Sequence, residues 1–323
     1  GESITESGGG GTDTVAIVTT TDFANMTANS FNEIEEIRFA GANQTGTFTG
    51  AQFTGETLNL TETAAGTSNL VINVGSGETV TFANLTASTF TSGSDTVTIN
   101  GTTGNENITG ANIVSTINGG LGDDTVVAGS QNDTIDGGDG ADSLTGGSGD
   151  DVYLFDANDV DSGEAIVESG GGGTDVISLD ENVDFSLMSE ASFDEIEQIR
   201  FAGSSKTGTF TGAQLTTETI ALTETGSGTN NLIVEVALGT TVNLSNLSNG
   251  SGWDNGSDTI TVNGVDGGGE IIAGPNIHKT SIFGKSFNSS TSFCVLITLG
   301  YFLIIDMAFK MARCLKRSLL FFF

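Results

Sequence analysis

Residues 119–154 read GGLGDDTVV, AGSQNDTID, GGDGADSLT and GGSGDDVYL, four consecutive nine-residue units without an insertion. Their sixth positions are Asp124, Asp133, Asp142 and Asp151, and their eighth positions are Val126, Ile135, Leu144 and Tyr153. Paired glycines reach backbone angles that a Cβ disfavours, so the first six residues of a unit can curl into a tight loop closed by a carboxylate. The last three set one apolar side chain between two others, the alternation of a very short strand with one buried face. Such a strand is not stable alone. It becomes stable when successive coils of chain stack, joining the apolar positions into one core and pairing the backbone between coils. Phe90, Ile99, Ile108 and Ile117 carry the same spacing of nine back from Val126, and units starting at Gly101 and Gly110 precede the four loops.

Two units per coil place Asp124 over Asp142 and Asp133 over Asp151, and such columns repel. A divalent, oxygen-seeking cation between loops removes the repulsion and satisfies carbonyls that a tight turn leaves unpaired. Calcium suits this best. Magnesium demands a stricter octahedron, and zinc prefers the His or Cys that these units lack.

These units resemble the RTX, or haemolysin-type, calcium-binding repeats of exported bacterial proteins. The resemblance implies an all-β fold, a right-handed parallel β-roll (a β-solenoid) with two units per turn, and Ca2+ between a loop and the loop two units later. Carried onto this chain, one ion lies between 119–124 and 137–142, and another between 128–133 and 146–151. The implied ligands are Asp124, Asp133, Asp142 and Asp151 with the carbonyls of Gly120, Gly122, Gly129, Gln131, Gly138, Gly140, Gly147 and Gly149. Glu106 and Ser115 replace the aspartate in the two preceding units, which are expected to continue the roll with weak calcium binding or none. The family also implies a secreted, extracellular or cell-surface location and passage through type I secretion machinery.

The remaining sequence points the same way. With 47 glycines, one proline and no long Ala/Leu/Lys/Glu runs in 323 residues, turns and short strands are expected throughout. Basic residues number 9 against 41 acidic; six of the basic ones lie in 279–323 with one acid, leaving 3 against 40 before it, a net charge of −37. Such a surface repels nucleic acid and attracts divalent cations. Both cysteines, Cys294 and Cys314, also fall in the tail, so ions rather than disulfides are expected to stabilise the rest.

A second, longer period contains the short one. GESITESGGGGTD at Gly1 returns as GEAIVESGGGGTD at Gly163, FNEIEEIRFAG at Phe31 as FDEIEQIRFAG at Phe193, and TGTFTGAQ at Thr45 again at Thr207, each offset by 162; SDTVTING at Ser94 returns at Ser257, offset by 163. The expected divisions are a β-rich module over 1–100, the roll over 101–155, a second module over 156–277 that begins a new roll at 264–277, and an atypical tail over 278–323. The offset equals nine coils of eighteen. Short strands are expected at 57–61, 69–74 and 79–85, with a helical turn bearing Phe31, Ile34 and Ile37 ahead of a strand at 38–40. The modules either extend the solenoid or form a small sandwich against it. GGGGTD lacks the lysine and helix of a phosphate loop and reads as a turn between strands. Glu33, Glu35, Glu36, Glu195 and Glu197 read as surface charge beside buried Ile rather than a catalytic pair.

The tail, with its thirteen-residue apolar run 293–305 and basic cluster, reads as a frame-shifted join or a short membrane anchor; His278 at the junction has no partner histidine nearby. No His/Ser/Asp set or zinc helix is present, so the expectation is not an enzyme. Two rival readings are the repeat stalk of a surface adhesin, with cell-surface glycans or matrix as partners, and the non-catalytic part of an exoenzyme. For the former, Trp253 is the lone tryptophan.

Overall fold

The computed structural model describes residues 10–90, 94–168, 172–253, 257–264, 271–273 and 280–284. Every strand pair in them is parallel, each coil lying on the previous one. Of the two arrangements open to the modules, the molecule takes the solenoid. One sheet of eleven strands, from Thr21–Asp22 to Ser248–Asn249, runs through the first module, the roll and the second module.

Side-chain alternation drives this. In Asn69–Asn73 the side chains of Leu70 and Ile72 are buried between more exposed neighbours, and Glu36–Phe39 does the same with Ile37 and Phe39. Phe31, Ile34 and Ile37 are all buried, but the turn before them is a short 3-10 segment, Ala28–Ser30. Stacked coils superimpose like on like: Phe23 lies flat on Phe48 at 4.7 Å between centroids, and Phe185 on Phe210 at 4.7 Å in the second copy.

Coil lengths differ between regions. Thr14 pairs with Glu36, Glu36 with Asn59 and Asn59 with Thr86, steps of 22, 23 and 27; Val176, Gln198, Ala221 and Ser248 repeat those steps in the second copy. Among the described residues only the roll steps by 18, as in Ile117 to Ile135 and Ile135 to Tyr153. The offset of 162 is therefore not nine equal coils. Its drift to 163 arises in one coil, Asn69 to Thr96 being 27 residues and Asn231 to Thr259 being 28.

The apolar ladder needs one correction. Ile99, Ile117, Ile135 and Tyr153 stack on the long sheet, while Ile108, Val126 and Leu144 stack on a five-stranded one. Beneath Ile108, however, lies Val80, 28 residues earlier, not Phe90. Phe90 instead packs on Phe39 at 5.3 Å, as Trp253 packs on Phe201 at 5.1 Å, so this tryptophan is a core residue.

The recurring TGTFTGAQ has a structural cause in its glutamine. Gln214 is buried; its Nε2 donates to the carbonyls of Phe185 and Met188 at 2.8 and 2.9 Å, and its Oε1 accepts from Thr211 N at 2.7 Å. Gln52 makes the same three bonds in the first copy. Gln214→Leu leaves these groups unpaired, and a loss of about 2–4 kcal/mol in denaturant midpoint analysis is expected.

In the tail, only the strand Thr280–Gly284 is described, and it pairs with Thr259–Gly264. The apolar run, both cysteines, His278 and the other basic residues lie outside the described residues. Among the described residues no helix is long and apolar enough to cross a membrane. Backbone pairing of Ile271–Ala273 on Thr241–Asn243 matches Asn107–Thr109 on Thr79–Thr81, where the first copy enters its roll.

Candidate metal centre

The four sixth-position aspartates are buried, each at most 2 % exposed. Each places one carboxylate oxygen on the coil before it. Oδ1 of Asp124 accepts from Glu106 N at 2.6 Å, that of Asp133 from Ser115 N at 2.7 Å, that of Asp142 from Asp124 N at 2.7 Å, and that of Asp151 from Asp133 N at 2.7 Å. Two columns result, as the eighteen-residue spacing requires. In all four residues Oδ2 is buried and has no hydrogen-bond partner. A buried carboxylate oxygen left unpaired is costly, so these four positions call for a cation or a proton.

The loops leave space there for oxygen and for little else. Gly120, Gly122, Gly138 and Gly140 have φ of +114°, +119°, +88° and +148°, a region that L side chains rarely enter. A Cβ on Gly138 would lie 2.0 Å from Gly120 O, and one on Gly147 would lie 2.0 Å from Gly129 O. The second- and fourth-position carbonyls of one loop thus point at the glycines of the next. Gly129 O is also engaged in the sheet, accepting from Ser148 N at 3.2 Å. First-position carbonyls point the other way: the place of a Cβ on Gly119 is approached by Asp124 Oδ2 at 2.6 Å and Gly137 O at 2.4 Å, from successive loops. Sequence reasoning passed over these first-position carbonyls. Gly138→Ala meets both the positive φ and the carbonyl; an expected cost of roughly 3 kcal/mol or more is measurable as a lowered thermal midpoint in saturating calcium.

Charge follows burial. Desolvation pushes Asp124 and Asp151 up to about 6 and Asp133 and Asp142 up to about 7, against the backbone N–H bonds that pull each down. Repulsion along the columns, Asp151 on Asp133 and Asp124 on Asp142, adds a smaller upward push. Removal from water, more than mutual repulsion, therefore makes the empty columns unfavourable.

The columns outrun the four aspartates. Asp151 N donates to Asp175 Oδ1 at 2.9 Å, Thr174 N to Asp150 Oδ1 at 2.8 Å, and a Cβ on Gly173 would lie 1.9 Å from Gly149 O. Residues 172–175, the described end of the second GGGGTD, therefore lie on the loop 146–151. The letters of GGGGTD fit the unit, but the step is 24 residues instead of 18, which hid it. Glu35 is exposed and Glu197 half-buried, beside buried Ile34 and Ile196, and both also brace coils: Glu197 Oε2 accepts from Asp175 N at 2.8 Å, and Glu35 Oε2 from Asp13 N at 2.7 Å. Glu36 accepts from the hydroxyls of Thr14 and Thr61, which hold its carboxyl below the ordinary range.

Beside the loop 137–142, carboxylate oxygens of Asp139, Asp156 and Asp159 lie within 4.8 Å of one another, a group with metal-ligand character that the nine-residue pattern does not reveal. Glu168 accepts from Gly146 N at 3.2 Å and from the Tyr153 hydroxyl, closing the apolar end of the roll with a polar contact.

Parallel coils whose loops present buried carboxylates and inward carbonyls define a β-roll of the ion-binding kind. Residues 115–153 match the RTX calcium-binding nonapeptide repeat, in four copies. Comparison of the chain with curated proteins and with solved structures gives no match. The residues present fit the ion that this family takes: the donors are all oxygen, and four of them are buried and otherwise unpartnered.

Proposed function

We propose that this chain is a calcium-dependent, non-catalytic folding module of a secreted bacterial protein. The observation that supports it is the set of four buried, unpartnered Oδ2 atoms in two columns. Asp124 and Asp142 with the carbonyls of Gly120, Gly122, Gly138 and Gly140 would hold one ion; Asp133 and Asp151 with those of Gly129, Gln131, Gly147 and Gly149 would hold another. The first-position carbonyl of Gly137, which lies with Asp124 Oδ2 at the place of a Cβ on Gly119, joins the first set. Bound calcium supplies the positive charge that lets ionised carboxylates stay buried.

In a calcium-poor cytosol the columns stay open and the chain is suited to threading through a secretion channel. Outside, calcium at roughly millimolar levels closes them. Circular dichroism of the full chain titrated with calcium tests this reading, and a β signal indifferent to calcium would sink it.

The continuous eleven-stranded sheet favours a second role for the same module, as a spacer in a surface-exposed repeat protein. Small-angle scattering is expected to show an elongated particle that expands and loses its defined length when calcium is chelated. A compact particle of unchanged size under both conditions would count against the spacer.

A further inference from the structure

The column through Asp124 and Asp142 has two ends, and they are built differently. At its start Glu106 occupies the sixth position, and both of its oxygens are satisfied by the chain: Oε1 accepts from Gly77 N at 2.7 Å and Oε2 from Thr102 N at 2.9 Å. Backbone donors thus end the column there without an ion.

At the other end the next coil carries no nonapeptide unit. Ala165 nevertheless pairs with Ser143 and Ile166 with Leu144, which sets Gly163 over Ala141 and Glu164 over Asp142. Asp142 N donates to Glu164 Oε2 at 2.7 Å, the bond that every aspartate of the column makes with the coil before it. Glu164 is 3 % exposed, and its Oε1 is buried with no partner, as is Asp142 Oδ2 beneath it. The negative charges near it are Asp142, Asp159 and Asp161, and among the described residues no basic side chain forms an ion pair with it. Two buried carboxylates on successive coils, each with an oxygen left over, repeat the arrangement of Asp124 and Asp142. Glu164 makes this bond across a step of 22 residues instead of 18.

We propose that Glu164 is a metal ligand and that it completes, with Asp142, a further divalent-cation site between loop 137–142 and residues 159–164. The site rests on the calcium reading of the roll, takes the same oxygen-seeking ion, and extends the ladder one step beyond the nonapeptide repeats.

Native mass spectrometry and isothermal titration of the full chain with calcium test it, using wild type, Glu164→Gln and Asp133→Asn. Glu164→Gln is expected to bind one ion fewer than wild type while keeping its β signal in saturating calcium. Asp133→Asn reports on the other column and so on the calcium reading itself. If Asp133→Asn loses calcium while Glu164→Gln matches wild type in stoichiometry and affinity, the Glu164 site is wrong and the roll reading stands. If wild type binds no calcium, both fall. Should Glu164→Gln fail to fold, Glu164→Asp withdraws the carboxylate by one methylene; a tenfold or greater weakening of one site is then expected, and unchanged affinity at every site would overturn the proposal.

Discussion

Chelation of divalent cations at pH 7.5 is expected to abolish the ordered β signal of the roll, and calcium is expected to restore it cooperatively. That pH lies above the values of about 6 to 7 to which burial pushes the four aspartates, so the ionised form predominates in the folded state, each with an oxygen in the interior and no partner. The effective cost of an unpaired buried charge is several kcal/mol. Four such costs exceed what the eighth-position side chains can offset, since a buried Val or Leu contributes only about 1.5–3 kcal/mol. The modules on either side carry larger aromatic cores and are expected to keep part of their signal, so the loss is partial across the chain and complete in the roll. Asp124→Asn and Asp133→Asn each remove a charged ligand, and each is expected to raise the calcium midpoint about tenfold or more, equivalent to about 1.4 kcal/mol per decade. Hydrogen exchange resolved to 115–153 is the most direct measurement. Protection there that survives chelation at neutral pH would refute the account.

The second large effect is on pH, and its sign is unusual for a carboxylate-rich protein. Paired carboxylates ordinarily have depressed folded-state values, so stability falls in acid. Here burial raises the values from 3.8 to about 6 or 7. The protonated form therefore favours the folded roll. This contribution is fully present below the unfolded value near 4 and is lost as pH rises through 6 to 7. Metal-free protein is thus expected to be more ordered at pH 5 than at pH 8, with the roll recovering part of its protection as protons replace calcium at the columns. With calcium present the dependence reverses, because protons compete for the same oxygens and affinity falls below about pH 7. Thermal melts in chelator at the two pH values decide the matter: greater stability of the metal-free roll at pH 8 would contradict it. Asp133→Asn and Asp142→Asn remove titrating groups and should flatten the metal-free profile.

Much of the site was legible in the residues. A period of nine with Asp at position six and an apolar residue at position eight leaves two units per coil as the natural stacking. That spacing places Asp124 on Asp142 and Asp133 on Asp151, as the hydrogen bonds show. The paired glycines announced the loops because a Cβ at Gly120 or Gly138 has nowhere to go. Outside the roll the same method misplaced Phe90, since equal spacing had been extended into coils of unequal length. Residues 79–81 and 107–109 are neighbours although 28 positions separate Thr79 from Asn107.

The sequence by itself determined the class of fold, the duplication and the four carboxylates, because each depends on a short period that survives in one dimension. Tertiary structure alone decided which further residues join the columns. Glu164, Asp175 and Glu197 lie 22, 24 and 22 residues from their partners, and no fixed period marks them. It also decided how the two copies sit on the shared sheet. The strands Glu36–Phe39 and Leu58–Glu62 form a separate four-stranded sheet in the first copy, while their counterparts Gln198–Phe201 and Ala221–Glu224 lie in the eleven-stranded one. The second copy is thus shifted by one face around the solenoid. Backbone hydrogen bonding between coils does not depend on residue type, so either face can carry the same strands.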